Sequence, residues 1–234
     1  DQSGIVTTAH AINSGEPSLP PVVPEVAQAQ GWADLNFIIA SDAEDCVRKV
    51  IQLVTEFVPQ KLKWPDPIND VQVLAPMHKG VAGVSNLNSR LQAALQPFKG
   101  VALADRDLPP SPRPWRTSRA RPGEAQPVRR GPGGGGLSSA SLRTVSGTYE
   151  VGDKVIQLRN NYDKNLFNGD IGTVTAVHAA AGALEAEFDG ERHTFDRGDF
   201  GSLGLAYCIS IHKSQGSEYP VVIIPLLKAH FMML

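Results

Sequence analysis

One stretch limits every fold this chain can adopt. Between about Gly100 and Gly147 the sequence holds eight Arg, no Lys, many Pro, Gly, Ser and Ala, and few β-branched or aromatic residues. Such a composition cannot bury enough apolar surface to offset the entropy of ordering the chain, so residues 100–147 are expected to be a disordered insert. Two further readings fit the same residues: a basic arm for nucleic acid, because the arginines face only Asp105, Asp107 and Glu124, or GC-rich DNA read out of frame. The core must then come from the flanking segments.

Before the insert, strands alternate with helices. Ile5, Ala9 and Ile12 share one face of a short helix closed by Gly15 and Pro17. Asp34 to Ser41 reads as a short buried strand, and Ser41 and Glu44 have capping-box spacing ahead of a helix. Val47, Val50, Ile51, Val54 and Phe57 form its apolar face, and Pro59 is expected to end it. A second unit follows: DVQVLAP as strand, MHKGVAG as loop, and a helix with Val84, Leu87, Leu91 and Leu95 in its stripe. This alternation predicts a parallel sheet.

After the insert the pattern changes to short strands with tight turns. Leu184, Ala186 and Phe188 alternate with Glu185 and Glu187, and Asp189-Gly190 is a two-residue hairpin signal. Four or five strands in so short a span predict a small antiparallel barrel. LGLAYCISI and YPVVIIPLL then return to the style of the first segment, so the barrel is an insertion in an α/β domain. The organisation expected is 1–99 host domain, 100–147 insert, 148–204 barrel, and 205–234 host domain continued.

Net charge of −2 gives no global sign of a polyanionic partner, so any nucleic-acid contact must come from local placement. Cys46 and Cys208 lack metal-site spacing, and the six histidines are scattered, which disfavours a resident metal. No apolar run approaches a membrane span and no signal layout opens the chain, so a cytoplasmic protein is expected. The first residue, Asp1, and the uncapped ending KAHFMML read as those of a fragment.

Two polar, glycine-bearing turns carry the chemistry: Pro76 to Gly83 and His212 to Glu218. Ligands of open α/β sheets bind at the carboxyl ends of strands, where loops and helix N-termini offer backbone N–H groups. Glycine permits close approach of a phosphate, Lys supplies charge, and Ser donates hydrogen bonds. Taken alone, a turn of either kind is more often just a turn. No phosphate-cradling G-x-x-x-x-G-K-[ST] loop and no Mg²⁺-holding acidic pair is present, so no catalytic set can be assembled within the chain.

The run AYCISIHKSQGSEYPVVIIPL resembles motif V of superfamily 1 DNA helicases in the form typical of RecD-like ATP-dependent helicases. QSGIVTTAHAINSGEP, VLAPMHKGVAGVSNLNSRLQ and VGDKVIQLRNNYDKNLFNGDIGTV are similar to further blocks of that family, in family order. The resemblance implies an α/β fold: the RecA-like parallel sheet of a second motor domain, P-loop NTPase in type, with an SH3-like barrel inserted before motif V. It implies a C-terminal motor-domain fragment of an ATP-dependent 5′–3′ DNA helicase, of the kind used in DNA repair or recombination. ATP with Mg²⁺ would be clamped against a first RecA-like domain of the same protein, and single-stranded DNA would be the partner.

By the same resemblance His212, Lys213 and Ser214 would lie along the DNA strand, and Gln215, Gly216 and Glu218 would face ATP. Pro76, Met77, His78, Lys79 and Gly80 would form a second DNA contact, with Asn88 positioned by its helix. Asn160, Asn161, Tyr162 and Asn168 would help the barrel flank the strand; an Asn-rich turn capping a strand is the plainer reading of the same four. The family's arginine-bearing motifs, Walker loop and Mg²⁺ ligands have no counterpart in these 234 residues, so the fragment alone is expected to be inactive. A non-enzymatic nucleic-acid-binding module and a fragment of a relaxase-linked helicase are the alternative readings.

Overall fold

The structure is a computed structural model, and it describes residues 3–16, 22–23, 25–26, 34–64, 66–99, 141–144 and 146–233. Helix α1 spans Gly4–Asn13, the short strands β1 (Val22–Val23) and β2 (Phe37–Ile38) pair in parallel, and α2 spans Ala43–Gln52. A π-helical turn, Leu53–Phe57, carries α2 into α3 (Val58–Lys61). Strand β3 (Val71–Ala75) and helix α4 (Val84–Ala94) complete the first segment. The second contains β4 (Ser141–Thr144), β5 (Gly147–Glu150), β6 (Lys154–Gln157), β7 (Ile171–His178), β8 (Ala183–Phe188), β9 (Glu191–Phe195), β10 (Leu203–Leu205), β11 (Cys208–Ser210) and β12 (Val221–Ile223).

The host unit is a three-stranded parallel sheet in the order β11-β3-β12. Every residue of β3 is buried, as a central parallel strand covered on both faces requires. Val71, Val73 and Ala75 pack on Val47, Val50 and Val54 of the α2 side and on Leu87, Leu91 and Leu95 of the α4 side. On the opposite face Leu74 meets Ala206, Ile209 and, from the inserted unit, Ile156.

The inserted unit is a five-stranded antiparallel sheet, β10-β6-β7-β8-β9, with the hairpin β4-β5 laid across it. Leu142 and Tyr149 of the hairpin share one core with Val155, Val174, Leu184, Phe188, Phe195 and Leu203. The Tyr149 hydroxyl donates to the Leu203 carbonyl at 2.9 Å. The expected barrel is therefore corrected: among the described residues the ladder does not close. Side chains of the hairpin cover the sheet where a closed barrel would use backbone pairing. The Asp189-Gly190 turn does join β8 to β9, with both residues at positive φ, as a type I′ hairpin needs.

Four local expectations are also revised. The helix cap falls one residue later than the capping box predicts: the Asp42 carboxylate accepts from the Asp45 N–H at 2.8 Å, and Asp45 accepts in return from the Ser41 N–H. Pro59 does not stop the helix, because the π turn delivers it to the first turn of α3, where a missing N–H costs little. The apolar face of α1 is exposed, with no buried residue on that helix. Strand β4 lies inside the stretch expected to be disordered; residues 101–140 of that stretch lie outside the described residues.

The run LGLAYCISI is not one strand. Its first half, β10, pairs antiparallel with β6 of the inserted sheet, and after Ala206-Tyr207 its second half, β11, pairs parallel with β3. The border between the two units thus runs through a continuous apolar sequence, where composition shows no break.

Candidate nucleic-acid interface

Ser210 lies opposite Ala75 in the register of β11 and β3, so the two strands end together and the turns 76–83 and 211–217 leave the sheet side by side. The two glycine-bearing turns are thereby brought to one edge, the carboxyl edge where open α/β sheets bind ligands.

In the first turn Pro76 is buried while Met77, His78, Lys79 and Gly80 are exposed. Gly80 has φ +97, open to glycine at no cost. The turn then doubles back over the start of α4: the N–H of Val84 donates to Met77 O at 2.9 Å and that of Ser85 to His78 O at 3.2 Å. Those bonds use donors that a helix N-terminus would otherwise offer to an anion. What this turn presents outward is therefore its side chains, His78 and Lys79 foremost.

The second turn is a single 3-10 turn, Ile211–Ser214, followed by Gln215 and by Gly216 at φ +82. His212, Gln215, Gly216 and Glu218 are exposed. The Ser214 hydroxyl donates to Ile211 O at 2.8 Å, closing the turn on itself. Lys213 is half-buried, and burial holds its ammonium below the usual lysine value. Its Nζ donates to Asn168 Oδ1 at 2.7 Å, and no carboxylate pairs with it among the described ion pairs. A partly desolvated cation compensated by a neutral amide retains its affinity for an anion.

Asn168 belongs to the loop between β6 and β7 of the inserted unit, the third cluster of expected contacts. Its N–H donates to Asn160 Oδ1 at 2.9 Å, and Asn160 Nδ2 donates to the Tyr162 hydroxyl at 3.3 Å. Asn161 pairs with Leu166 through both backbone groups, and its side chain accepts from the Lys164 N–H. Tyr162 stands out at 77% exposure, edge-on to Phe167 with centroids 6.3 Å apart. The polar atoms of Asn160 and Asn161 thus shape the loop, while Tyr162 projects an aromatic face from it.

Asn88 is not at this edge. It is buried, its Nδ2 donates to Cys208 O at 2.8 Å, and its Oδ1 accepts from the Cys208 N–H at 2.9 Å. The side chain acts as a short surrogate strand against the edge of β11, a role its sequence position does not disclose.

A buried polar junction was also missed. Asp153 accepts from the Tyr207 hydroxyl at 2.8 Å, from Gln92 Nε2 at 2.7 Å and from the Glu150 N–H at 2.7 Å, and pairs with Lys99 Nζ at 2.5 Å. The adjacent Lys154 points to the other side, donating to Val71 O at 3.2 Å with its Nζ 5.9 Å from the Tyr219 ring centroid. The one available signal was Asp-Lys at the head of the apolar strand VIQL, where a solvated face would place its charges alternately.

No described helix is long and apolar enough to cross a membrane, and no described cluster of three or more His, Cys, Asp or Glu could hold a metal ion. Cys46 and Cys208 are buried free thiols.

Residues 136–188 match the family described as the ATP-dependent RecD-like DNA helicase SH3 domain, and residues 205–234 the UvrD-like helicase C-terminal domain. Two segments of the chain are thus similar to helicase domains, one of RecD-like and one of UvrD-like description. The ATP-dependent RecD2 DNA helicase of Deinococcus radiodurans is 28% identical to this chain over 232 residues. That alignment takes in 98% of the chain but 24% of the relative, so the chain spans about a quarter of that protein's length. Among solved structures, unliganded Pif1 from Bacteroides sp. is 28% identical with a TM-score of 0.26, over 33% of this chain and 30% of that one. Bacteroides Pif1 in complex with ADP-AlF3 and ssDNA is 15% identical with a TM-score of 0.34, over 81% and 45%. Both superpositions are too loose to align individual residues. The two matched segments contain β4 to β8 and β11 to β12, so Asn168 and Lys213 of the candidate edge fall within them while the turn 76–83 lies outside both.

Proposed function

We propose that the chain is the part of an ATP-dependent 5′–3′ DNA helicase that holds single-stranded DNA along the carboxyl edge of a RecA-like sheet. The observation that carries this reading is the convergence of His78 and Lys79, His212 and Lys213, and Asn168 and Tyr162 at one edge, around an ammonium with no described carboxylate partner. Lysine and histidine there would contact phosphates, and the exposed Tyr162 ring would stack on a base, which tolerates any sequence. Pro76, Met77 and Gly80 would shape the first turn, and Ser214 the second. Asn88, Asn160 and Asn161 would support the strand and loop that present these groups.

Gln215, Gly216 and Glu218, exposed on the same turn, would reach ATP, with Mg²⁺ and the remaining phosphate ligands supplied by a first RecA-like domain of the full-length protein. DNA and nucleotide would then share one seven-residue turn, which is how strand binding could stimulate hydrolysis. In the full-length protein, Lys213→Ala is expected to weaken single-strand binding about tenfold, the worth of one charge-assisted hydrogen bond, and to raise the strand concentration needed for half-maximal ATPase. Unchanged strand binding in that variant would exclude the reading.

A further inference from the structure

The segment 207–213 is gripped at three points: Tyr207 by Asp153, the Cys208 backbone by Asn88, and Lys213 by Asn168. The host helix α4 supplies the middle grip, but the two outer grips come from the inserted unit. Asp153 is itself fixed by Gln92 and Lys99, and Asn168 by the Asn160 side chain. The segment that runs from the start of β11 into the candidate turn is therefore held at both ends by a unit that is not part of the host sheet.

We infer that Asn168 is a positioning residue: with its backbone N–H anchored by Asn160 in the β6–β7 loop, its carboxamide holds the Lys213 ammonium at the sheet edge in the place where a phosphate of the single strand is bound. The inference rests on the proposed nucleic-acid reading and adds a division of labour to it. A lysine on four rotatable bonds loses much rotamer entropy on contacting a phosphate. An acceptor that already fixes Nζ at 2.7 Å, without neutralising it, leaves two ammonium protons for the ligand and removes part of that loss. A carboxylate in the same place would fix the side chain equally well but would cancel the charge that attracts the phosphate. The neutral amide therefore matters chemically and not only sterically. Because Asn168 sits on the inserted unit, that unit sets the phosphate grip even where it makes no contact with the strand.

The test uses the full-length protein and a fluorescent single-stranded oligonucleotide, titrated at several salt concentrations beside a thermal melt. Asn168→Ala is expected to weaken strand affinity by up to about tenfold with the melting temperature unchanged, as loss of one hydrogen bond to a charged group would do. Asn168→Asp is expected to weaken it as much or more and to lower the salt slope by about one phosphate contact, since Lys213 would then be internally paired. In a double-mutant cycle, adding Asn168→Ala to Lys213→Ala should cause no further loss, because the amide acts through the ammonium. The inference is overturned if either Asn168 variant binds as the parent does, if lost affinity tracks lost thermal stability, or if the two alanine effects add. A Lys213→Ala variant with normal binding would instead overturn the nucleic-acid reading beneath it, so the two failures are distinguishable.

Discussion

A Cβ built on Gly83 would stand 2.5 Å from Lys79 O and 2.6 Å from its carbonyl carbon, with His78 O at 2.9 Å. These are backbone atoms of the turn that folds back over α4, so they cannot swing aside as a side chain could. Gly83→Ala is expected to destabilise the fold by roughly 1–3 kcal/mol, the range for forcing extra volume into a packed site, and to displace Lys79 from the candidate edge. Paired denaturant melts and strand titrations would register both effects; an unchanged midpoint would show that the turn can open. Asn88 shows the limit of reading at this scale. As an amide on a helix beside a basic turn it belongs, by residue type, with the nucleic-acid contacts. Its partner is the backbone of Cys208, 120 residues away, and only the register of β11 beside α4 shows that both its polar atoms are already used. Asn88→Leu is expected to cost on the order of 1–3 kcal/mol for each Cys208 group left unpaired, with loss of stability preceding any loss of binding. A stability equal to the parent's would overturn that assignment.

At the scale of elements, β6 opens on a buried ammonium. Lys154 is wholly buried, and burial holds its pKa down at about 8 against the attraction of Asp66 and Asp70. Asp70 at the head of β3 is pushed up to about 6, first by burial and then by the Asp66 carboxylate. Between its ordinary value of 3.8 and about 6 the folded chain keeps a proton on Asp70 that the unfolded chain releases, so this group makes stability fall as pH rises through that window. Between about 8 and 10.5 the unfolded chain binds a proton that folded Lys154 lacks, so stability rises with pH there. In thermal melts these two groups by themselves give a shallow minimum between the two windows, set against the raised Cys208 thiol, which acts in the opposite sense above about 9. Asp70→Asn should flatten the acid limb while leaving the alkaline limb standing; a parent-like acid limb in that variant would assign the slope to other groups.

The elements most legible in the sequence were those with a strong period and a local turn signal: α4 with its leucine stripe, and β8–β9 around Asp189-Gly190. The hidden ones depend on distant pairing. LGLAYCISI reads as one strand because both halves are apolar, and the handover at Ala206-Tyr207 is fixed by β6 on one side and β3 on the other. Pro59 likewise reads as a stop because a π turn has no signature that local propensity would show.

For the molecule as a whole, the change from alternating strands and helices to short strands and back predicts two units, one nested in the other, and the register of β11 and β3 brings the two glycine-bearing turns to one edge of the outer sheet. What the sequence pattern could not supply is their border, because Asp153, Lys154, Lys99 and Tyr207 are ordinary residues until the two units are packed together. The same border has a consequence for synthesis. Strand β3 is made early, but its neighbours β11 and β12 leave the ribosome only after the inserted unit, and translation of the intervening chain takes on the order of ten seconds. For that time β3 has α2 and α4 to cover one face but lacks β11 and β12 along its edges, an open template for misplaced strands. An inserted unit that folds quickly and closes with β10 would hand the growing chain straight across to β3, so the nested unit would also act as the guide that ends this exposure.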